Sequence, residues 1–156
     1  MHGTLLRLVV SGLLVTGALA ITSPFASAAT VPANLRSTFV SIDTVFGKVD
    51  SKWTNAVAAM PTSATIAQIA QVSPPFVAAL KVFDTKLLAL GLPGKAGTDA
   101  KAVASSNGKL VSLLSSLGSI SRPTFISDFR SIFTQDMGLQ TAFAKDLGIP
   151  TADVLI

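Results

Sequence analysis

The chain has 156 residues, of which 49% are hydrophobic and 13% charged, and its formal net charge at pH 7 is +4. This composition excludes an intrinsically disordered chain, and the length suits one domain with one core. The basic residues form no long run and no stripe with interleaved aromatic residues, which excludes a typical nucleic-acid-binding surface.

Residues 1–28 have the anatomy of an export signal. Arg7 and the amino terminus supply positive charge, and the apolar run LVVSGLLVTGALAI follows at 8–21. The small residues Ala26-Ser27-Ala28 then match the A-x-A pattern of signal peptidase, with the cut before Ala29. A frame one residue later fits nearly as well. We therefore predict a signal peptide at 1–28 and a helical bundle domain at 29–156.

The alternative to cleavage is an uncleaved membrane anchor. A membrane-spanning helix needs about 20 apolar residues, and this run is shorter and interrupted by Ser11, Gly12 and Gly17. We therefore expect a protein that is secreted or associated with the cell envelope, with no transmembrane span after cleavage.

The first predicted helix covers roughly 34–60, with Asn34 as its N-cap and Pro61 as its stop. Its apolar residues step alternately by four and three, a heptad pattern: Leu35, Phe39, Ile42, Phe46, Val49, Trp53, Ala56 and Met60. Asp43 and Asp50 flank this row and are predicted to lie on a solvated face. Trp53 lies on the row, which predicts a core residue, and the alternative is a wall of a ligand pocket.

The second helical block covers about 63–90. Its stripe is interrupted by Ser73-Pro74-Pro75, where serine can cap a helix and proline suits the first helical position. The sequence therefore predicts a kink or a split there, with a short helix before Ser73 and a longer one from Pro74. Gly91 and Pro93 end the block.

The third block, about 98–117, has Thr98 as its predicted cap. The letters SSNG at 105–108 are a turn signal inside it. We expect the helix to be kinked at that point, or to start only near residue 109.

The fourth block covers about 123–147, with Ser121 or Arg122 ahead of Pro123 and with Gly148 closing it. Its apolar stripe steps through Phe125, Phe129, Ile132, Leu139, Phe143 and Leu147. The apolar tail TADVLI at 151–156 could pack over an end of the bundle.

Asp136 is an acid at a core position of the fourth block. A buried lone carboxylate is costly and would have a raised pKa. The interpretation we favour is that Gly138 distorts the helix, so that Met137 faces in and Asp136 faces out. The alternative is a buried acid that is paired with Lys or Arg, or that faces a polar cavity.

Short connections between these blocks make successive helices antiparallel neighbours. The predicted fold is all-α, an up-down-up-down four-helix bundle whose second helix is kinked or split at Ser73-Pro74-Pro75. The segments KVDSKWTNAVAAMPTSAT, LGLPG and DLGIP resemble small exported helical-bundle proteins of high-GC bacteria, most of which have no assigned function. This resemblance implies the fold and the extracytoplasmic location and carries no site.

Function is limited mainly by missing residue types. The only histidine is His2, and the chain has no cysteine, tyrosine or glutamate. After cleavage there is therefore no histidine-dependent nucleophile, no thiolate zinc site and no disulfide. Met60 and Met137 are soft ligands on predicted helices, and gap-filling is the common role of methionine. The sequence assigns no catalytic, cofactor-binding or metal residues, and it favours a protein that is not an enzyme.

Three functions follow from these observations. The first is a non-catalytic exported bundle that binds an unknown protein partner or the cell-envelope surface, with no nucleic acid involved. The second is a carrier of an apolar, lipid-like small molecule between the helices. The third is a helical enzyme using Asp with Lys or Arg, which needs Asp136 in a cleft within reach of Arg122, Arg130 or a lysine.

The signal-peptide prediction can be checked by mass. We expect the protein recovered from a secreting host to have the intact mass of residues 29–156 under denaturing mass spectrometry, because the peptidase cuts after Ala28. A recovered mass that retains residues 1–28 would contradict cleavage.

Overall fold

The computed structural model describes residues 30–61 and 63–150. These residues form five α-helices: α1 (Ala33–Ala58), α2 (Ile66–Val72), α3 (Pro74–Ala89), α4 (Gly94–Ser115) and α5 (Arg122–Leu147). The predicted all-α class is therefore confirmed over this part of the chain. The predicted signal peptide and the apolar tail at 151–156 lie outside the described residues.

Helix α1 begins one residue earlier than predicted and is rotated relative to the predicted row. Its N-cap is Pro32, with no side-chain capping bond, so the prediction of Asn34 as the cap was wrong. Among the residues of α1, Asp43 is buried, whereas its neighbour Ile42, a member of the predicted row, is only half-buried. The buried residues of α1 are Phe39, Asp43, Phe46, Gly47, Trp53 and Val57.

The predicted break at Ser73 separates α2 from α3, and the two helices are bent by 53°. Helix α2 opens with a capping box, in which Thr65 and Gln68 satisfy each other's backbone N–H groups. The Ser73 hydroxyl donates to the Ile69 carbonyl at 2.8 Å and accepts from Trp53 Nε1 at 3.2 Å. A side-chain hydrogen bond therefore joins the break between α2 and α3 to α1.

Helix α4 differs most from the prediction. It begins at Gly94, so Thr98 is not a cap, and its hydroxyl instead bonds to the Gly94 carbonyl. The helix also continues without a break through 105–108. Ser106 and Asn107 are buried, and Asn107 Nδ2 donates to Asp84 Oδ1 at 2.7 Å. Two of the residues that suggested a turn, Ser106 and Asn107, are therefore buried in the bundle instead of forming a turn.

Helix α5 has both predicted ends. The Ser121 hydroxyl accepts from the Thr124 N–H at 3.3 Å, which caps the start. Gly148 ends the helix with φ of 67°, a left-handed conformation that glycine adopts without steric cost.

Aromatic side chains join α1 to α3 and α5. Phe39 meets Phe143 edge-on with ring centroids 5.1 Å apart, and Trp53 lies 6.1 Å from Phe129. Because early α1 meets late α5 and late α1 meets early α5, these two helices run in opposite directions. Their backbones nevertheless approach each other far less than those of α1 and α3, α3 and α4, or α4 and α5. Side chains, more than close backbone packing, connect α1 to α5.

No single helix in 30–61 or 63–150 is long and apolar enough to cross a membrane. The bent pair α2–α3 reaches that length and composition only when its two helices are taken together.

The aromatic contacts predict a large cost for truncating Phe39, which is fully buried against Phe143 and Phe83. We expect Phe39→Ala to lower the free energy of unfolding by about 3–5 kcal/mol, because it removes buried apolar area and leaves a cavity. Urea unfolding would measure this change. The matched control is Val45→Ala on the same helix, where the side chain is 60% exposed and the expected change is about 0.5 kcal/mol or less. Equal costs for the two variants would contradict the packing.

Candidate functional site

A cleft lies among α1, α3, α4 and α5, and we call it the central cleft. Its volume is about 60 Å³. Its lining residues combine aromatic and aliphatic side chains with acids and amides: Phe46, Asp50, Trp53, Thr54, Phe76, Leu80, Asn107, Leu110, Phe129, Phe133, Asp136, Met137 and Gln140.

Aromatic rings form one part of the central cleft. Trp53 stacks on Phe76 with centroids 4.6 Å apart, and Phe129 stacks on Phe133 at 6.1 Å. Trp53 is only 7% exposed, and its N–H is bonded to Ser73. The prediction of a core residue is therefore confirmed, and the same side chain also lines the cleft.

Asp50 places a carboxyl in the central cleft from α1. The prediction that Asp43 and Asp50 lie on a solvated face was wrong, because Asp43 is 1% exposed and Asp50 is half-buried. Burial and, to a smaller extent, the neighbouring charge of Asp43 together raise the pKa of Asp50 to about 6. The rotation of α1 thus turns two acids toward the interior.

Asp136 reaches the central cleft from α5. The favoured prediction of a slipped stripe was wrong, since α5 is continuous through Gly138 and Met137 is 42% exposed at the cleft. Asp136 is half-buried, and its Oδ2 accepts from the Gln140 side-chain amide. Burial raises the pKa of Asp136, whereas Ser106 and Gln140 act to lower it.

Two buried oxygens at this point have no hydrogen-bond partner among the described residues. They are Asp136 Oδ1 and Ser106 Oγ. The Ser106 side chain nevertheless acts on Asp136 as a hydrogen-bonding group that lowers its pKa, so each of these oxygens has only the other as a nearby partner. Unsatisfied buried polar atoms are rare in native proteins, because each costs about 1–3 kcal/mol.

Asp84 lies behind the cleft on α3. The pKa of this carboxyl is raised to about 6, because burial and the charge of Asp136 together outweigh the opposing hydrogen bond from Asn107. The sequence analysis missed Asp84, Asn107 and Gln140 as members of this cluster. Asp84 directly follows the core residue Phe83, and Asn107 lies in the SSNG signal, so the only hint was a polar residue beside a core stripe.

The acids of this cluster are not balanced by basic residues at the cleft. No lysine or arginine is among its lining residues, and no basic group is a cause of the pKa shifts of Asp50, Asp84 or Asp136. Lys95 forms ion pairs elsewhere, with Asp99 and Asp146. A helical enzyme using Asp136 would need a lysine or an arginine beside this carboxyl, and none lines the cleft.

The acids also do not converge as a metal site does. In the part of the chain that the structure describes, no three acidic, histidine or cysteine side chains lie close enough together to hold a metal ion. The acids interact in pairs, Asp43 with Asp50 on α1 and Asp84 on α3 with Asp136 on α5.

Comparisons of the chain with protein-family models, with curated proteins and with solved structures found no match. The geometry and the chemistry of the central cleft therefore carry the functional conclusion.

The raised pKa of Asp50 predicts a pH-dependent stability. An unfolded aspartate ionises near pH 4, whereas folded Asp50 keeps its proton until about pH 6. Its contribution is therefore fully favourable below pH 4 and is lost as the pH rises through 6. Above pH 6 the raised pKa lowers the free energy of unfolding by up to about 3 kcal/mol, because one pKa unit corresponds to about 1.4 kcal/mol. We expect Asp50→Asn to remove this loss.

Urea unfolding at about pH 4 and about pH 7 would measure this difference. The control is Asp128→Asn, because Asp128 is an exposed aspartate on α5. If Asp50→Asn and Asp128→Asn show the same pH dependence, Asp50 is not the titrating group.

Proposed function

We propose that the protein is an exported, non-catalytic binding protein that holds a small ligand in the central cleft. In this proposal α1, the bent pair α2–α3, α4 and α5 act as the four arms of an up-down-up-down bundle. The ligand lies between the arms, on the side where the backbones of α1 and α5 stay apart.

The observation that carries the proposal is the meeting of half-buried carboxyls with aromatic rings in one cleft that no lysine or arginine lines. A core selected for stability alone would have apolar side chains at Asp50 and Asp136, since buried carboxyls there destabilise the fold. A few convergent polar groups in a largely apolar pocket are typical of small-molecule sites.

The volume of the cleft limits the size of the ligand. One water needs about 10–15 Å³ of cavity volume, so 60 Å³ accommodates a group of a few heavy atoms. Pockets for drug-sized ligands have volumes of about 300 Å³ or more. The cleft therefore supports a small ligand, or the head of a larger one, better than a lipid enclosed between the helices.

Binding is better supported than catalysis by the side chains present. The cleft offers carboxyls, amides and aromatic rings, and no lysine or arginine lines it. A reaction that uses Asp with Lys or Arg would lack its basic group at this place.

Binding of a protein partner or of the envelope surface remains the second candidate function. The observation that favours it is an apolar groove of about 230 Å³ between α1 and α3, bordered by Val45 and Val82. These two side chains are 60% and 53% exposed.

A titration followed through Trp53 tests small-ligand binding. Trp53 is the only tryptophan and lines the cleft, so its indole N–H gives a single NMR signal. The probes are tert-butylammonium, tert-butanol and pivalate, which share a shape and differ in charge. We expect at least one of them to shift the signal saturably.

The matched variants are Thr54→Leu, which adds volume at the cleft, and Thr44→Leu at an exposed position of the same helix. Thr54→Leu is expected to weaken binding at least about tenfold, or about 1.4 kcal/mol, and Thr44→Leu to leave it unchanged. Absence of a saturable shift with all three probes would contradict the proposed function.

A further inference from the structure

We infer that the ligand of the central cleft is a small organic cation, a compound whose ammonium group enters among the aromatic rings and carboxyls. This inference rests on the proposed function and names the chemical class of the ligand.

The charge inside the bundle is the first reason. Asp50 and Asp136 line the cleft, and Asp84 lies near Asp136 on α3. Ionised carboxylates away from water are stable only with opposite charge or hydrogen bonds. Since no lysine or arginine lines the cleft, a cationic ligand supplies the charge that the protein does not.

The hydrogen-bonding capacity of the site is the second reason. Asp136 Oδ1 has no hydrogen bond of ordinary geometry among the described residues, and the nearby Ser106 hydroxyl is the one donor that acts on it. An ammonium group carries only donors, so it complements these acceptors. The side-chain amides of Gln140 and Asn107 already donate to Asp136 and Asp84.

The aromatic lining is the third reason. The faces of aromatic rings carry partial negative charge and attract an ammonium within about 6 Å of the ring centre. Phe46, Trp53, Phe76, Phe129 and Phe133 all line the cleft. A neutral ligand would pack on these rings and leave the carboxylates uncompensated, and an anion would be repelled by them.

A metal cation fits this site less well than an organic one. Ca²⁺ takes six to eight oxygen ligands, and no three acids in 30–61 and 63–150 can share an ion. Aromatic rings offer no such ligand, whereas they do attract the hydrocarbon and the charge of an alkylammonium.

Affinity for the cation should fall in acid. Asp50 becomes protonated near pH 6, whereas an alkylammonium stays charged until about pH 10, as lysine does. The groups at this site are Asp43 and Asp50 from α1 and Asp84 from α3. Helix α4 contributes the uncharged Ser106 and Asn107, and α5 contributes Asp136 and the uncharged Gln140.

The same three tert-butyl probes test the inference on the full, purified chain at about pH 7.5 and about pH 5. We expect tert-butylammonium to bind at least about tenfold more tightly than tert-butanol at the higher pH. We expect that preference to shrink at least about threefold at the lower pH. Pivalate should give no saturable shift.

Two variants locate the charge that is responsible. Asp50→Asn and Asp136→Asn should each weaken tert-butylammonium at least about tenfold and leave tert-butanol unchanged. Asp128→Asn, at an exposed position of α5, should change neither. Thermal melting checks that the variants are folded, and the comparison of probes on the unmodified protein decides the question even if a variant does not fold.

The outcomes separate this inference from the proposed function. Equal affinity for tert-butylammonium and tert-butanol, both weakened by Thr54→Leu, would overturn the cation inference and leave small-ligand binding standing. Saturable binding of Ca²⁺ or Mg²⁺ in competition with tert-butylammonium would make this a metal site and overturn the inference. Failure of all three organic probes would remove both proposals.

Discussion

The hydrogen bond from Trp53 to Ser73 is the contact on which the architecture depends. Ser73 sits at the point where α2 ends and α3 begins, and its hydroxyl connects the Ile69 carbonyl to the indole of α1. The indole then stacks on Phe76 in the first turns of α3 and reaches Phe129 on α5. One side chain thereby fixes the bend between two helices and forms part of the wall of the cleft.

The acids of the interior work against the stability of the same core. Phe39, Phe83 and Phe143 pack with almost no exposure, whereas Asp50, Asp84 and Asp136 have pKa values raised chiefly by burial. These three acids depart from the usual apolar composition of a core, whereas the aromatic contacts of the same helices follow it. Such conflicts concentrate at functional sites, because there the fold tolerates a loss of stability. Two of these acids, Asp50 and Asp136, line the central cleft.

Much of the helical organisation could be predicted from sequence because it is encoded locally. Proline and serine mark the break at Ser73, Ser121 marks the start of α5 and Gly148 marks its end. The acid cluster could not be predicted in this way. A residue next to a core row is only about 100° around the helix from it, so whether Asp43 or Ile42 faces inward depends on the neighbouring helices. The Asn107–Asp84 bond likewise joins two helices, and the periodicity of either helix alone does not contain it.

The wide spacing of α1 and α5 also bears on how the protein folds. These are the first and last helices of the described chain, so the contact of Phe39 with Phe143 closes a loop that contains most of the described residues. Loop closure costs more chain entropy as the loop lengthens, and contacts of this range slow folding relative to local ones. The four walls of the cleft come from both ends of the described chain, so the cleft exists only after that long loop has closed. A chain still emerging from the ribosome lacks one wall of the cleft until α5 has been made.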